Sequence, residues 1–186
     1  LGALRIELAK REKLIDTNKW APLWVVDFPL VEWNEDKNRW DALHHPFTSP
    51  NLEDLDKLDS DPGMVRSFGY DVIMNGYELG GGSIRIHNRE LQARIFKLLG
   101  ISDEDAQEKF GFLMDAFKYG APPHGGMAFG FDRIVMLLAG SNQIRDVIAF
   151  PKTTSALSLM DNSPSPVSEE QLKELHLEII REEKNG

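Results

Sequence analysis

The strongest chemical signal in the chain is a pair of acidic side chains on a predicted β-hairpin. Asn75-Gly76 separates two runs of strand-forming residues and suits a two-residue type I′ turn. That turn would place Asp71 and Glu78 on one sheet face, about 7–8 Å apart at the backbone. Two carboxylates at this spacing can share a divalent cation such as Mg²⁺, with substrate phosphates completing its coordination. The alternative is two solvated side chains on an exposed face.

A run of three glycines, Gly80–Gly82, lies between Glu78 and Arg85. Glycines inside a strand indicate a bulge or the close approach of a ligand to the backbone. Strict alternation places Arg85 on the face opposite Glu78, whereas one bulged residue within the run brings both to the same face. We predict that bulge, and regular alternation through residues 79–85 would contradict it. The alternative is a flexible loop followed by an ordinary surface arginine.

A third signal combines small residues with a charged helix start. Residues Gly125–Gly130 predict a strand that leads into an apolar helix, and Asp132 and Arg133 lie in the first turn of that helix. A guanidinium held beside a helix N-terminus is suited to binding phosphate. In the structural alternative, Asp132 caps the helix and Arg133 pairs locally.

Two neighbouring histidines, His44 and His45, precede Pro46. Adjacent side chains on an extended segment point to opposite faces, and no carboxylate stands at a familiar zinc-binding spacing. The local sequence therefore favours one structural histidine and one surface histidine over a metal site.

These groups need a scaffold, and the hydrophobic pattern predicts an α+β fold with a mainly antiparallel sheet flanked by helices. Residues 34–41 are polar and predict a turn or variable loop. Ser168 and Gln171 predict a capping box for a final helix that buries Leu172, Leu175 and Ile179. We expect further helices over residues 1–19, 51–61, 88–98, 102–119 and 131–139, and strands over residues 23–26, 70–74, 77–87 and 125–130.

Composition excludes several classes of protein. The 186 residues contain 30 acidic and 21 basic side chains, so the net charge of −9 excludes binding to nucleic acid by bulk charge, although a local basic groove stays compatible. The absence of cysteine excludes disulfides, thiolate metal sites and cysteine nucleophiles, and it fits a reducing cytosol. No apolar run approaches the roughly 18 residues of a membrane span. Because the chain begins with Leu1, we expect a piece of a longer protein.

Taken together, these motifs resemble the class II aminoacyl-tRNA synthetases, and more narrowly the bacterial-type aspartyl enzymes. Gly130–Arg133 followed by an apolar helix resembles motif 3 of that class. The resemblance covers nearly the whole chain, through segments Trp24–Pro29, His44–Pro50, Asp71–His87, Phe110–Gly130 and Arg145–Lys152.

The resemblance implies an antiparallel sheet flanked by helices, and a ligase that condenses L-aspartate with ATP and then transfers the aspartyl group to tRNA(Asp). It implies no side-chain nucleophile. By position, Glu78 and Gly130–Arg133 correspond to ATP-binding residues, with Arg133 reaching the γ-phosphate. Glu78 and Asp71 correspond to the residues near Mg²⁺. Arg85 corresponds to the arginine that holds the substrate side-chain carboxylate, and His44, with His45 beside it, to an aspartate contact.

The resemblance also implies a division of the chain. Residues 1–19 would be a helix returning from an inserted domain, and residues 20–186 the C-terminal half of the catalytic domain, including motif 3. Motifs 1 and 2 and the anticodon-binding barrel are not found in these residues, so we expect the isolated chain to be inactive. The whole enzyme is expected to be a cytoplasmic homodimer. The alternatives are a related asparaginyl-type enzyme or paralogue, and a non-catalytic interaction module of the same fold.

Overall fold

The centre of the fold is a four-stranded antiparallel sheet. The computed structural model describes residues 2–16 and 18–180. The chain divides into two compact units, residues 1–135 and 136–186. The first contains strands β1 (Pro22–Val25), β4 (Gly69–Met74), β5 (Tyr77–Ile84) and β6 (Gly125–Phe129), which pair in the order β1-β4-β5-β6. The antiparallel sheet and the helices that accompany it confirm the predicted α+β class.

The turn between β4 and β5 has the predicted geometry. Asn75 and Gly76 adopt φ angles of 51° and 87°, the two positive values of a type I′ turn. Met74 consequently pairs with Tyr77, and Ile73 with Glu78. The Asn75 side chain also accepts a hydrogen bond from the Ala21 N–H (2.8 Å), and therefore joins the turn to the residue before β1.

A second hairpin spans the segment expected to be a turn or variable loop, and the turn itself covers residues 35–38. Strands β2 (Val31–Asn34) and β3 (Arg39–Ala42) pair antiparallel, and Trp33 lies directly opposite Trp40. Their rings meet edge to face with centroids 5.2 Å apart. The predicted turn was too long, because cross-strand aromatic packing extends the strands into residues that read as polar.

The helices follow their capping signals more closely than their predicted lengths. The Asn88 side chain caps α2 (Arg89–Leu98), and Ser102 caps α3 (Asp103–Ala116), as predicted. Helix α4 spans Phe131–Leu138. Helix α1 spans only Gly2–Arg11 instead of residues 1–19, and the predicted helix over residues 51–61 is a 3₁₀ helix, Leu52–Lys57. Leu1 and Thr17, part of the first prediction, lie outside the described residues.

The hydrophobic core of the first unit lies against helix α2. Ile95 on that helix and Ile86 just after β5 are each only 2% exposed. They pack in one cluster with Leu30, Val31, Leu58, Val65 and Leu99. Because Ile86 follows Arg85 directly, this packing anchors the C-terminal end of β5.

The second unit has little regular structure in its described residues, 136–180. Its helix α5 (Glu169–Glu174) begins with the predicted capping box between Ser168 and Gln171. The expected burial was wrong for Leu175 and Ile179, which are 65% and 60% exposed, whereas Leu172 is half-buried. The helix ends before His176, whose φ of 54° interrupts the periodicity that would have placed those side chains on one face. Over residues 2–16 and 18–180, no helix is long and apolar enough to cross a membrane.

Candidate active site

A β-bulge determines which side chains of β5 share a face. Ile73 pairs with Glu78 but Val72 pairs with Gly80, so Leu79 is the additional residue. This shift reverses the parity of the strand, as predicted, and allows Arg85 to reach the same side as Glu78. The predicted position was wrong by one residue: pairing is regular through Gly80–Gly82, and the bulge precedes the glycines.

Four charged side chains from separate parts of the sequence line a single cleft of about 520 Å³. Asp71 comes from β4, Glu78 from β5, Arg85 from the residue after β5, and Arg133 from α4. His44, His45 and Gly130 also line this cleft, whereas Phe131 and Asp132 do not belong to its lining. The floor consists of the glycine run of β5 and the end of β6. Two acidic and two basic groups therefore face a shared space.

The two ends of the cleft lie at the two ends of β5. Glu78 and Arg133 lie at the bulge, while Arg85 lies seven residues further along, roughly 20 Å at the rise of an extended strand. The Arg133 Nη1 donates a hydrogen bond to the main-chain carbonyl of Glu78 (2.7 Å), and lies 3.9 Å from the Glu78 carboxylate. Arg133 is thus held by β5 rather than by Asp132, against the local-pairing alternative.

At the other end, buried hydroxyl groups hold the Arg85 side chain. The Arg85 Nη1 donates to Ser83 Oγ (2.7 Å), and Thr48 Oγ1 donates to the same oxygen (3.3 Å). Ser83 and Thr48 are only 1% and 2% exposed. Sequence reasoning did not single out either hydroxyl. The available signal for Ser83 was its position two residues before Arg85, which places both on one face of a strand.

The two histidines both line the cleft, so the expectation of opposite faces was wrong. The chain bends at Leu43 and His44 immediately after β3 instead of staying extended. His44 packs edge to face against Phe28, with centroids 4.8 Å apart. Its ring also lies against Gly69, where an added Cβ would stand 2.9 Å from Nε2.

The His45 ring is a neutral acceptor beside a cation. Its Nδ1 accepts a hydrogen bond from the Phe47 N–H (3.1 Å) and lies 3.3 Å from the Arg85 Nη1. Burial and then the positive charge of Arg85 lower the pKa of His45. Since the ordinary histidine value is about 6.5, the imidazole is uncharged at neutral pH and can accept at Nδ1.

The two acidic side chains border the glycine run from different strands: Glu78 precedes it on β5, and Asp71 lies beside it on β4. Asp71 pairs with Gly81, and an added Cβ at Gly81 would collide with the Asp71 carboxylate. The absence of a side chain at Gly81 therefore leaves the space that this carboxylate occupies. Within residues 2–16 and 18–180, no group of three or more histidine, aspartate or glutamate side chains is arranged to hold a metal ion. Asp71 and Glu78 can therefore supply only part of a Mg²⁺ coordination shell, which suits a cation that also binds phosphate oxygens.

Comparison with known proteins agrees with this geometry. The model of the family "tRNA synthetases class II (D, K and N)" matches residues 4–154. The chain belongs to this family. An aspartate–tRNA ligase from Staphylococcus carnosus is 63% identical to this class II synthetase chain over 179 residues, 96% of the chain. An aspartate–tRNA(Asp/Asn) ligase from Caldanaerobacter subterraneus subsp. tengcongensis is 62% identical over the same share.

A solved structure supports the fold of this class II synthetase chain. The aspartyl tRNA synthetase from Entamoeba histolytica is 26% identical, with a TM-score of 0.55 over 82% of the chain and 25% of that protein. The synthetase chain spans about 30% of the length of both curated relatives. The comparisons therefore confirm the predicted family and the predicted fold class.

Proposed function

We propose that this chain is part of an aspartate–tRNA ligase, which activates L-aspartate with ATP and transfers it to tRNA(Asp). The observation that carries the proposal is the convergence of Asp71, Glu78, Arg85 and Arg133 on one cleft. Identities of 62% to an aspartate–tRNA(Asp/Asn) ligase and 63% to an aspartate–tRNA ligase support the choice of amino acid.

The proposed chemistry requires charge neutralisation more than it requires a nucleophile. Adenylation joins the α-carboxylate of aspartate to the α-phosphate of ATP, with pyrophosphate as the leaving group, and both reactants are anions. Catalysis therefore depends on positioning them and on compensating their charge. A cleft with fixed guanidinium groups at both ends meets that requirement.

ATP is assigned to the end of the cleft at the bulge. Arg133 would bind the far end of the triphosphate, beside the backbone of Gly130 at the start of α4, with Phe131 and Asp132 completing the nucleotide-binding segment. Asp71 and Glu78 would hold Mg²⁺, which when bound would neutralise phosphate oxygens. The donor chemistry fits, because carboxylates together with phosphates are the usual ligands of this ion.

Aspartate is assigned to the other end. The Arg85 guanidinium, already oriented by Ser83, would bind the side-chain carboxylate with two parallel charged hydrogen bonds, each contributing about 1.5–3 kcal/mol. Asparagine would present an amide NH₂ to the same donors and leave one of them unpaired. His44 and His45 would close this side of the pocket.

We extend the proposal to the rest of the enzyme by its resemblance to the family. Residues 1–19 would return from an inserted domain, and residues 20–186 would form the C-terminal half of the catalytic domain. The complete enzyme would be a cytoplasmic homodimer. The chain alone would not aminoacylate tRNA, because the α-phosphate-binding arginine of motif 2 is not among its residues.

The test is ATP–pyrophosphate exchange by the full-length protein that carries this chain, with aspartate or asparagine as the amino acid. We expect exchange with aspartate only. In the Arg85→Ala variant, exchange with aspartate should fall by about a hundredfold, while ATP binding measured by calorimetry changes by less than about threefold. Unchanged aspartate kinetics in this variant, or exchange that depends on asparagine instead, would overturn the proposal.

A further inference from the structure

A buried glutamine behind the cleft makes one hydrogen bond to the turn that carries the histidines. Gln92 on α2 is 0% exposed, and its Nε2 donates to the main-chain carbonyl of Pro46 (2.8 Å). Among the described residues, no donor reaches the buried Oε1 of the same amide. A buried acceptor without a partner costs stability, so the packing of α2 alone would be served better by an apolar side chain.

The carbonyl bound by Gln92 lies inside a tight turn. The Phe47 N–H, one residue further on, donates to His45 Nδ1 (3.1 Å), and the Thr48 N–H donates to the His45 carbonyl (3.1 Å). The Phe47 ring packs edge to face against Phe110, with centroids 5.1 Å apart. The orientation of the His45 ring is therefore determined by the position of the Pro46–Phe47 peptide.

We propose that Gln92 is a positioning residue for the amino-acid end of the cleft. Its hydrogen bond to Pro46 fixes the turn that holds His45 Nδ1 at 3.3 Å from the Arg85 guanidinium. This inference rests on the proposed function only in assigning aspartate to that end. The series of contacts from the Gln92 amide through the turn to His45 and Arg85 is independent of that function.

The informative variant is Gln92→Met. Methionine has nearly the same length and volume but no donor, so Pro46 loses its partner while the core remains filled. In aspartate-dependent ATP–pyrophosphate exchange by the full-length protein, we expect the KM for aspartate to rise about tenfold, as loss of one positioning hydrogen bond predicts. The KM for ATP, which binds at the other end of β5, should stay within about twofold.

A matched control separates positioning from stability. Ile95 lies on the same helix at 2% exposure and packs in the core cluster, whose members do not include His45, Pro46 or Phe47. In urea unfolding, Ile95→Val should lower the free energy of unfolding at least as much as Gln92→Met does. It should leave the KM values for aspartate and ATP unchanged.

A second readout does not depend on activity. In protein labelled with ¹⁵N-histidine, the Nδ1 resonance of His45 should have the shift of an unprotonated nitrogen, and Gln92→Met should move it while Ile95→Val does not. A His45 resonance unaffected by Gln92→Met, or KM values for aspartate and ATP that rise equally, would overturn the proposal. If the unaltered protein shows no aspartate-dependent exchange, the proposed function fails, and the His45 resonance alone decides the role of Gln92.

Discussion

The Arg133 guanidinium donates a 2.7 Å hydrogen bond to the main-chain carbonyl of Glu78, across 55 residues of sequence. The neighbouring carbonyl, that of the bulged Leu79, accepts a hydrogen bond of the same length from the Gly130 N–H. The start of α4 is therefore attached to β5 at the bulge. The residue assigned to the triphosphate is positioned by the same irregularity that brings Arg85 to the cleft.

Arg133→Lys tests this double role. Lysine retains the positive charge, but its compact ammonium group lacks the planar fork of arginine. It therefore cannot donate to the Glu78 carbonyl and bind phosphate at the same time with the geometry that arginine provides. We expect the KM for ATP to rise roughly tenfold in pyrophosphate exchange, with little change in the KM for aspartate. Equal effects on both substrates would contradict the assignment of the two ends.

Gly81→Ala tests whether the Asp71 carboxylate belongs to the Mg²⁺ site. The new methyl group would collide with the Asp71 carboxylate, which lies directly over Gly81. We expect the Mg²⁺ concentration needed for half-maximal exchange to rise several-fold, because one of only two carboxylates is displaced. Gly126→Ala on the adjacent strand is the control, since an added Cβ there meets nothing within 4 Å. If Gly81→Ala and Gly126→Ala needed the same Mg²⁺ concentration for half-maximal exchange, the assignment of Asp71 to the metal site would be contradicted.

Local signals predicted most of what positions this cleft. The Asn75-Gly76 turn and the caps at Asn88 and Ser102 depend on neighbours within a few residues, and all three were found where expected. The bulge predicted from the glycine run also implied that Arg85 and Glu78 lie on the same face of the sheet. These features were accessible because each follows from backbone geometry encoded in a short segment.

The wrong predictions at the cleft concern contacts between distant segments. The bulge falls at Leu79 because the hydrogen bonds of the paired strands select its position, and no residue of β5 alone specifies it. The bend that turns both His44 and His45 to the cleft likewise depends on the bonds that the following turn makes to β5. No sequence pattern marks a hydroxyl such as that of Ser83 as a partner of Arg85, because the contact exists only in the folded chain.

The stability of the first unit should depend on the charge of Asp54. This side chain is 3% exposed and accepts hydrogen bonds from Arg66 Nε and Lys57 Nζ, both at 2.7 Å. The hydrogen bond from Arg66, and then that from Lys57, hold the pKa of Asp54 well below its ordinary value. Because the folded value is lower than the unfolded one, this stabilisation is present above about pH 4 and is lost as the pH falls further.

Urea unfolding between about pH 3 and pH 7 measures this contribution. We expect Asp54→Asn to be less stable than the unaltered protein at pH 7, and the difference to shrink toward pH 3, because there the Asp54 carboxylate binds a proton in the unfolded chain while it stays ionised in the folded one. Asp59→Asn is the control, because Asp59 forms an ion pair with Arg94 but its side chain is 81% exposed. Parallel pH profiles for the unaltered protein and Asp54→Asn would contradict the prediction.

The Asn75 side chain should stabilise the sheet in two separable ways. Its backbone has a φ of 51°, a left-handed conformation that asparagine adopts more readily than alanine. Its amide also accepts from the Ala21 N–H (2.8 Å) and donates to the Lys19 carbonyl (3.0 Å), which joins the turn to the segment before edge strand β1. Asn75→Gly retains the conformation and removes only the hydrogen bonds, whereas Asn75→Ala removes both contributions.

We therefore expect Asn75→Gly to lower the free energy of unfolding by about 1–2 kcal/mol and Asn75→Ala by about 1 kcal/mol more. Equilibrium urea unfolding gives both values, and amide hydrogen exchange of β1 should accelerate in both variants, because the segment before that strand is released in each. If Asn75→Gly were as stable as the unaltered protein, the hydrogen bonds to Ala21 and Lys19 would contribute nothing to holding β1 on the sheet. The turn conformation alone would then account for the effect of alanine.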